Sequence, residues 1–190
     1  MSSSSFRALR WLCSCLATCL ATCLGLTLAP QVASAQPLPT VPHVDLARYA
    51  GTWHEIARLP NWFQRSCERS RADYISCGDG SIKVINTCVK ASGRCTSIEG
   101  RATPVPCSGN ARLRVKFGGM AGLVPVASEG NYWIIALDDD YQWAMVGTPD
   151  RRFLWILARQ PCLPAEVFAQ LRQQACQLGF DVDRLVKDCR

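Results

Sequence analysis

The sequence predicts an all-β protein, an eight-stranded antiparallel up-and-down barrel with one C-terminal α-helix packed outside it. Three observations carry this expectation. Short segments of alternating apolar and polar residues recur from residue 51 to residue 159, separated at regular spacing by turn residues, which is the pattern of an antiparallel barrel or sandwich. Over residues 164–179 the apolar period changes from two to helical spacing. The 12 cysteines include eight beyond residue 60, an even number that fits a disulfide framework in an exported domain.

The N-terminus precedes the fold. Arg7 and Arg10 stand before an apolar run over 11–29, and Ala33-Ser34-Ala35 supplies small residues ahead of Gln36, so residues 1–35 read as a cleaved secretory signal. Two alternatives stay open: a retained anchor, because the run is nearly long enough to span a bilayer, and acylation at Cys19 or Cys23. Each of these cysteines ends a Leu-Ala-Thr-Cys box, with Thr where a lipoprotein signal usually has a smaller residue. Residues 36–44, with Pro37, Pro39 and Pro42, form an extended linker that cannot enter a sheet centrally, and the domain occupies 45–190.

The strands fall at 51–58, 69–77, 81–89, 95–102, 111–117, 131–137, 142–147 and 153–159. Gly78-Asp79-Gly80, Ser92-Gly93, Ser108-Gly109-Asn110, Asp138-Asp139-Asp140 and Thr148-Pro149-Asp150 lie between them, all residues that tolerate turn dihedrals. Alternation then sorts the faces. In the fifth strand Leu113, Val115 and Phe117 alternate with Arg112, Arg114 and Lys116; in the third, Lys83 marks the wet face and turns Val84 and Asn86 inward. The sixth and eighth strands are apolar on both faces, so Tyr132, Trp133, Ile134, Ile135 and Trp155 are all eligible. The ligand-lining set is Tyr74, Val84, Asn86, Leu113, Val115, Phe117, Tyr132, Ile134 and Trp155. Within it Asn86 is a polar amide among apolar neighbours and needs a partner. Pro164 suits the first turn of the helix over 164–179 and Gly179 its C-terminal cap.

Composition excludes several function classes. The charge of +6 comes from arginines scattered over alternating strands, not from a basic helix or tail, which argues against a nucleic-acid partner. No Cys-x-x-Cys occurs beyond residue 35, and neither histidine, His43 or His54, has a nearby cysteine; no metal, redox site or cofactor is expected. The inward sets hold no histidine. Glu55 shares the phase of Trp53 and shows no evident partner, so no catalytic group is assigned.

Four segments carry a family resemblance: Gly51-Thr52-Trp53 on the first strand, Asp138-Asp139-Asp140-Tyr141 between the sixth and seventh, Leu154-Trp155-Ile156-Leu157-Ala158-Arg159 on the eighth, and Gly179-Phe180-Asp181-Val182 after the helix. Over residues 45–187 the chain resembles the bacterial lipocalins of the outer-membrane type, a group similar to apolipoprotein D and the temperature-induced plant lipocalins. It departs from them at His54, where Tyr is usual, and in its load of cysteines. The resemblance implies non-enzymatic binding and carriage of a fatty acid or lysophospholipid in the periplasm or at the outer membrane. A lipid-modifying enzyme or a filled-barrel interaction domain are the alternatives. It also implies that Trp53 and Arg159 plug the closed end, the guanidinium lying across the indole. The loop over 118–130, long and apolar, would then cover the open end or touch a membrane surface. For the disulfides, the turn at 78–80 brings Cys67 to Cys88, and Cys77 and Cys107 share closed-end connections. The wider family's tie to the C-terminal tail suggests Cys95 with Cys189, which leaves Cys162 with Cys176.

Overall fold

The computed structural model describes residues 36–119 and 125–188. The expected signal, Cys19, Cys23, Cys189 and the middle of the 118–130 loop lie outside the described residues. Strands form where alternation places them: β1 (Gly51–Arg58), β2 (Cys67–Ser76), β3 (Ile82–Lys90), β4 (Cys95–Pro104), β5 (Arg112–Phe117), β6 (Tyr132–Leu137), β7 (Trp143–Gly147) and β8 (Leu154–Ala158). Each pairs antiparallel with the next. β1 pairs with both β8 and β2, which closes the sheet into a barrel and leaves no long unpaired edge.

Side chains of the two faces build two cores. The inner one includes Trp53, Tyr74, Val84, Leu113, Val115, Ile134 and Leu157. The outer one, with Trp133, Met145, Leu154 and Ile156 from the strands, lies under Leu171 and Ala175 of α2 (Ala165–Gln177). That second core explains why β6 and β8 are apolar on both faces. Helix α2 ends as the sequence predicts: Gly179 has φ +86°, its N–H donates to Cys176 O at 2.9 Å and that of Phe180 to Ala175 O at 3.0 Å, a Schellman motif. Pro164 stands one residue ahead of the helix, at its N-cap.

Several elements differ from expectation. A one-turn helix, α1 (Leu46–Tyr49), precedes β1, capped by Asp45 Oδ1 accepting from Ala47 N at 2.9 Å; four residues are too few for periodicity to register. The Pro-rich segment is extended but packed, with Val44 in the inner core and Leu38 in the outer. By contrast, the short final strand or turn that Phe180, Val182, Leu185 and Val186 lead one to expect after the helix is present: a two-residue strand, β9 (Val186–Lys187), pairs with Ala57 and Arg58 beyond the stretch Gly51–His54 where β1 pairs with β2.

The disulfide expectations divide. Cys67 and Cys88 are bonded, with Cα atoms 5.3 Å apart on adjacent β2 and β3. Cys77 and Cys107 are free, exposed thiols, each in the connection that follows its strand, after β2 and after β4, and sharing an end of the barrel does not bring them together. Cys95, proposed to pair with Cys189, is a free exposed thiol at the start of β4. Cys176 is free as well, whereas Cys162 is disulfide-bonded, so those two are not partners. Cys162 precedes the helix and Cys176 lies in its last turn, leaving about 16 Å of helix between them at 1.5 Å per residue.

Candidate functional site

The closed end is sealed by Trp53 of β1, Tyr49 of α1 and Arg159 just past β8. Trp53 is fully buried, donates its indole N–H to Tyr49 O at 2.8 Å and stacks on the Tyr49 ring at 4.9 Å. Arg159, just past β8, lies 3.9 Å over the Trp53 ring and donates to Arg48 O, Ala50 O and Thr52 O at 2.7, 2.9 and 2.9 Å and to Tyr141 O at 3.3 Å. One guanidinium thus ties α1, β1 and the β6–β7 turn to β8. The glycine of Gly51-Thr52-Trp53 makes room for it: Gly51 has φ +98°, and a Cβ there would stand 3.2 Å from Arg159 Nη1.

Above this floor the tyrosines meet. Tyr49 from α1, Tyr74 from β2 and Tyr132 from β6 converge, with Tyr132 Oη 2.8 Å from each of the other two hydroxyls. Burial raises all three well above the ordinary phenol range, Tyr74 to about 12. They are neutral donors at any physiological pH.

The walls are apolar. Val84, Leu113, Val115 and Ile134 are buried in the inner core, joined by Ala72, Ala102 and Val146. Asn86, Phe117, Tyr132 and Trp155 point inward yet keep accessible surface. Side chains on the inner face of a closed barrel that solvent still reaches mark its unfilled space. Asn86 has no side-chain hydrogen bond among the described residues, so the partner that a polar amide needs is not supplied by the protein. Ile98, opposite Asn86 on β4, is also exposed although its phase faces inward. Phe117 folds over Gly100, whose absent Cβ would stand 2.8 Å from the ring.

The open end holds a polar network that alternation could not show. Ladder pairing jumps from Glu55 opposite Leu157 to Ala57 opposite Ile156. This bulge at Ile56 reverses the strand's phase, so Glu55 and Arg58 both turn inward. Arg58 Nη1 donates to Glu55 Oε1 at 2.6 Å and to Asp188 Oδ1 at 3.1 Å, and Nη2 to Gln64 O and Cys67 O. Gln64 links Glu55 Oε2 at 2.7 Å to the Trp155 indole N–H at 3.0 Å. Asp188, just after β9, also accepts from Ser70 N at 2.7 Å. All three charged groups are buried. Burial pushes the Glu55 and Asp188 carboxyls above their ordinary range, opposed by Arg58, because one guanidinium serves two carboxylates away from water. A cleft of about 380 Å³ between Pro60, Arg65, Glu68 and Lys187 lies against the outside of this network and is distinct from the cup.

The nine expected lining residues therefore all lie on the barrel's inner side. Sequence reasoning missed Arg58, Gln64 and Asp188, and left Glu55 without the partners it has. An Arg and a Glu three apart near a strand end were the available signal, but an unbroken alternation would send them to opposite faces. Among the described residues no cluster of metal-ligating side chains occurs.

Comparison with known proteins places this geometry. A family model described as a lipocalin-like domain matches residues 44–189. The chain is 38% identical over 146 residues to temperature-induced lipocalin-1 of Arabidopsis thaliana, covering 76% of this chain and 78% of the relative. It is 37% identical over 161 residues to the outer membrane lipoprotein Blc of Escherichia coli strain K12, covering 82% and 87%. Among solved structures, insecticyanin from Manduca sexta shares the fold at a TM-score of 0.57 and 22% identity, over 79% of this chain and 82% of that one.

Proposed function

The chain belongs to the lipocalins, a family that binds small hydrophobic ligands, and from that premise we propose that it is an exported, non-enzymatic binder and carrier of a lipid-like molecule of the fatty acid or lysophospholipid class. The observation that carries this reading is the inner face: apolar walls on a sealed floor, with accessible surface left on Asn86, Phe117, Tyr132 and Trp155. An acyl chain entering such a cup gains about 0.8 kcal/mol per buried methylene. Turnover is disfavoured because, among the described residues, the inner face has no histidine and its one inward glutamate, Glu55, is engaged by Arg58 and Gln64, which leaves no free acid/base pair there.

Export is supported by the small-residue site at Ala33-Ser34-Ala35, by the Cys67–Cys88 disulfide and by the Escherichia coli relative's being an outer membrane lipoprotein. These favour the periplasm or the outer membrane. The rim also suits a lipid surface. Exposed Trp62 and Phe63 lead through Phe153 to Trp155, with ring centroids 5.5, 5.7 and 5.9 Å apart, and Arg152 lies over Phe153 at 5.4 Å. Aromatic rings beside cationic heads favour a bilayer interface, and this series gives an acyl chain an apolar path inward.

Displacement of a fluorescent fatty acid tests the reading. Saturable binding is expected; Val115→Arg, on the inner face, should weaken it at least tenfold, while Arg114→Glu, on the outer face, should leave it nearly unchanged. No saturable binding, or equal effects from the two substitutions, would overturn it.

A further inference from the structure

The floor of the cup holds a hydrogen-bond donor that the protein does not use. Tyr49, Tyr74 and Tyr132 bring three hydroxyl hydrogens to two oxygen–oxygen contacts of 2.8 Å. Whichever way each bond runs, one hydrogen remains, because a chain of three hydroxyls closes only two bonds. No other hydrogen-bond partner touches these oxygens among the described residues. Tyr49 is fully buried and Tyr74 is 3% exposed, so bulk water does not serve them, and an unmet buried donor costs about 1–3 kcal/mol. Tyr132, the central member, is the one that keeps accessible surface, and its side chain faces inward.

The surroundings set the charge of what this donor can receive. Arg159 at the floor lies over the Trp53 ring and is committed to four backbone carbonyls. Arg58 is at the other end of the cup, already shared by Glu55 and Asp188. The charge of Arg159 reaches Tyr49, but with its donors spent an anion at the floor would be desolvated with no uncommitted cation to pair with it, at a cost far above one hydrogen bond. A neutral oxygen meets no such penalty.

We propose that Tyr49, Tyr74 and Tyr132 form a ligand-anchoring subsite that takes an uncharged acceptor oxygen, a carbonyl, ether or hydroxyl, at the inner end of an otherwise apolar ligand. This rests on the cup's binding hydrophobic ligands, as proposed above, and narrows the class. The ligand is an amphiphile of that class whose charged headgroup stays at the mouth and whose chain carries a neutral oxygen near its far end; a long-chain ketone presents the same oxygen without the headgroup and serves as the probe.

The test uses two competitors for a fluorescent fatty acid: a long-chain methyl ketone, and the isosteric alkene with a methylidene in place of the carbonyl. Single Tyr→Phe changes do not remove the donor: without Tyr49 or Tyr74 the remaining pair still leaves one hydrogen over, and without Tyr132 the other two hydroxyls leave two. The informative variant is Tyr49→Phe/Tyr74→Phe/Tyr132→Phe, whose apolar replacement of every partner leaves none unpaired. The ratio of ketone to alkene affinity should fall about tenfold from wild type to this variant, equivalent to about 1.4 kcal/mol, with alkene and fatty-acid affinities held or raised. In wild type, the bound ketone's carbonyl stretch should shift to lower frequency than in hexane, a readout that needs no variant to fold. An unchanged ratio together with a hexane-like stretch would overturn the subsite while leaving the cup intact. A parallel loss of fatty-acid affinity would show that the floor takes a carboxylate and overturn the neutral-oxygen claim. If neither competitor displaces the bound fatty acid from wild type, the subsite falls while the cup stands; only the absence of saturable fatty-acid binding overturns the cup.

Discussion

Arg159 shows how much one side chain can organise. Its four hydrogen bonds to main-chain carbonyls satisfy acceptors that a one-turn helix and a strand start would leave bare, and its planar guanidinium covers the Trp53 indole, which also packs on the Tyr49 ring. Truncating Trp53 to Ala should cost about 3–5 kcal/mol, the range for a buried aromatic. Arg159→Ala should cost less, because the guanidinium is partly exposed and solvent screens it. Since the two side chains touch, the losses should be non-additive by at least about 0.5 kcal/mol. Urea denaturation of both single variants and the double variant checks this, and strictly additive losses would show that the stacking contributes nothing. Trp53 and Arg159 were legible in the sequence through the family resemblance of the segments that carry them, and the structure adds why a glycine stands at 51, a left-handed backbone beside the guanidinium. Arg58 was not legible, because its direction depends on a bulge that only the ladder with β8 reveals.

At the scale of elements, β9 does more than its two residues suggest. β1 leaves β2 after His54, and β9 takes over the vacated edge at Ala57 and Arg58, which carries Asp188 to where it accepts from Ser70 N on β2 and from Arg58 on β1. The tail therefore bridges the split between the first two strands at the open end. Asp188→Ala leaves the Ser70 N–H unpaired and should cost about 1–3 kcal/mol. Amide exchange at Ser70 should also quicken relative to β5; unchanged stability and unchanged exchange would show that the strap is passive. The Cys67–Cys88 bridge fixes the same rim from the β2–β3 side. Its partners were legible because a tight turn sets the register of a hairpin. The other three pairings were not, since they depend on how far apart strands and helix end up in space.

Across the whole molecule, ionisation couples the two ends of the barrel to pH. Glu55 and Asp188 have folded carboxyls raised above their ordinary values of 4.5 and 3.8, so the folded state holds their protons more tightly than the unfolded chain. Their contribution is fully present below those values and is lost as pH climbs through the raised folded values. Glu55→Gln should flatten that decline: relative to the variant, the wild type should lose melting temperature from pH 4.5 upward and then level off. A difference that is constant with pH would show that Arg58 balances the burial of Glu55. On the alkaline side the tyrosines act in the same sense. Stability tied to Tyr74 is intact below its ordinary 10 and lost as pH rises through about 12, which phenolate absorbance followed during alkaline unfolding will register.

By itself the sequence determined the strands, the inner faces of β3 and β5, the outer helix and its glycine cap, and the two residues that meet at the closed end. All but the closed-end pair rest on periodicity and residue chemistry within a few positions of the chain; that pair was legible from the family resemblance of the segments that carry it. Only the tertiary structure decided which face of β6 and β8 looks inward, because α2 buries the outer face as thoroughly as the barrel buries the inner one. It also decided the mouth network, assembled from Glu55, Gln64 and Asp188 around Arg58, and the meeting of three tyrosines from α1, β2 and β6. Alternation is a local signal with a period of two. A single bulge inverts it, and the closure that brings residue 49 to residue 132 is set by packing over the whole barrel, which no short window of sequence contains.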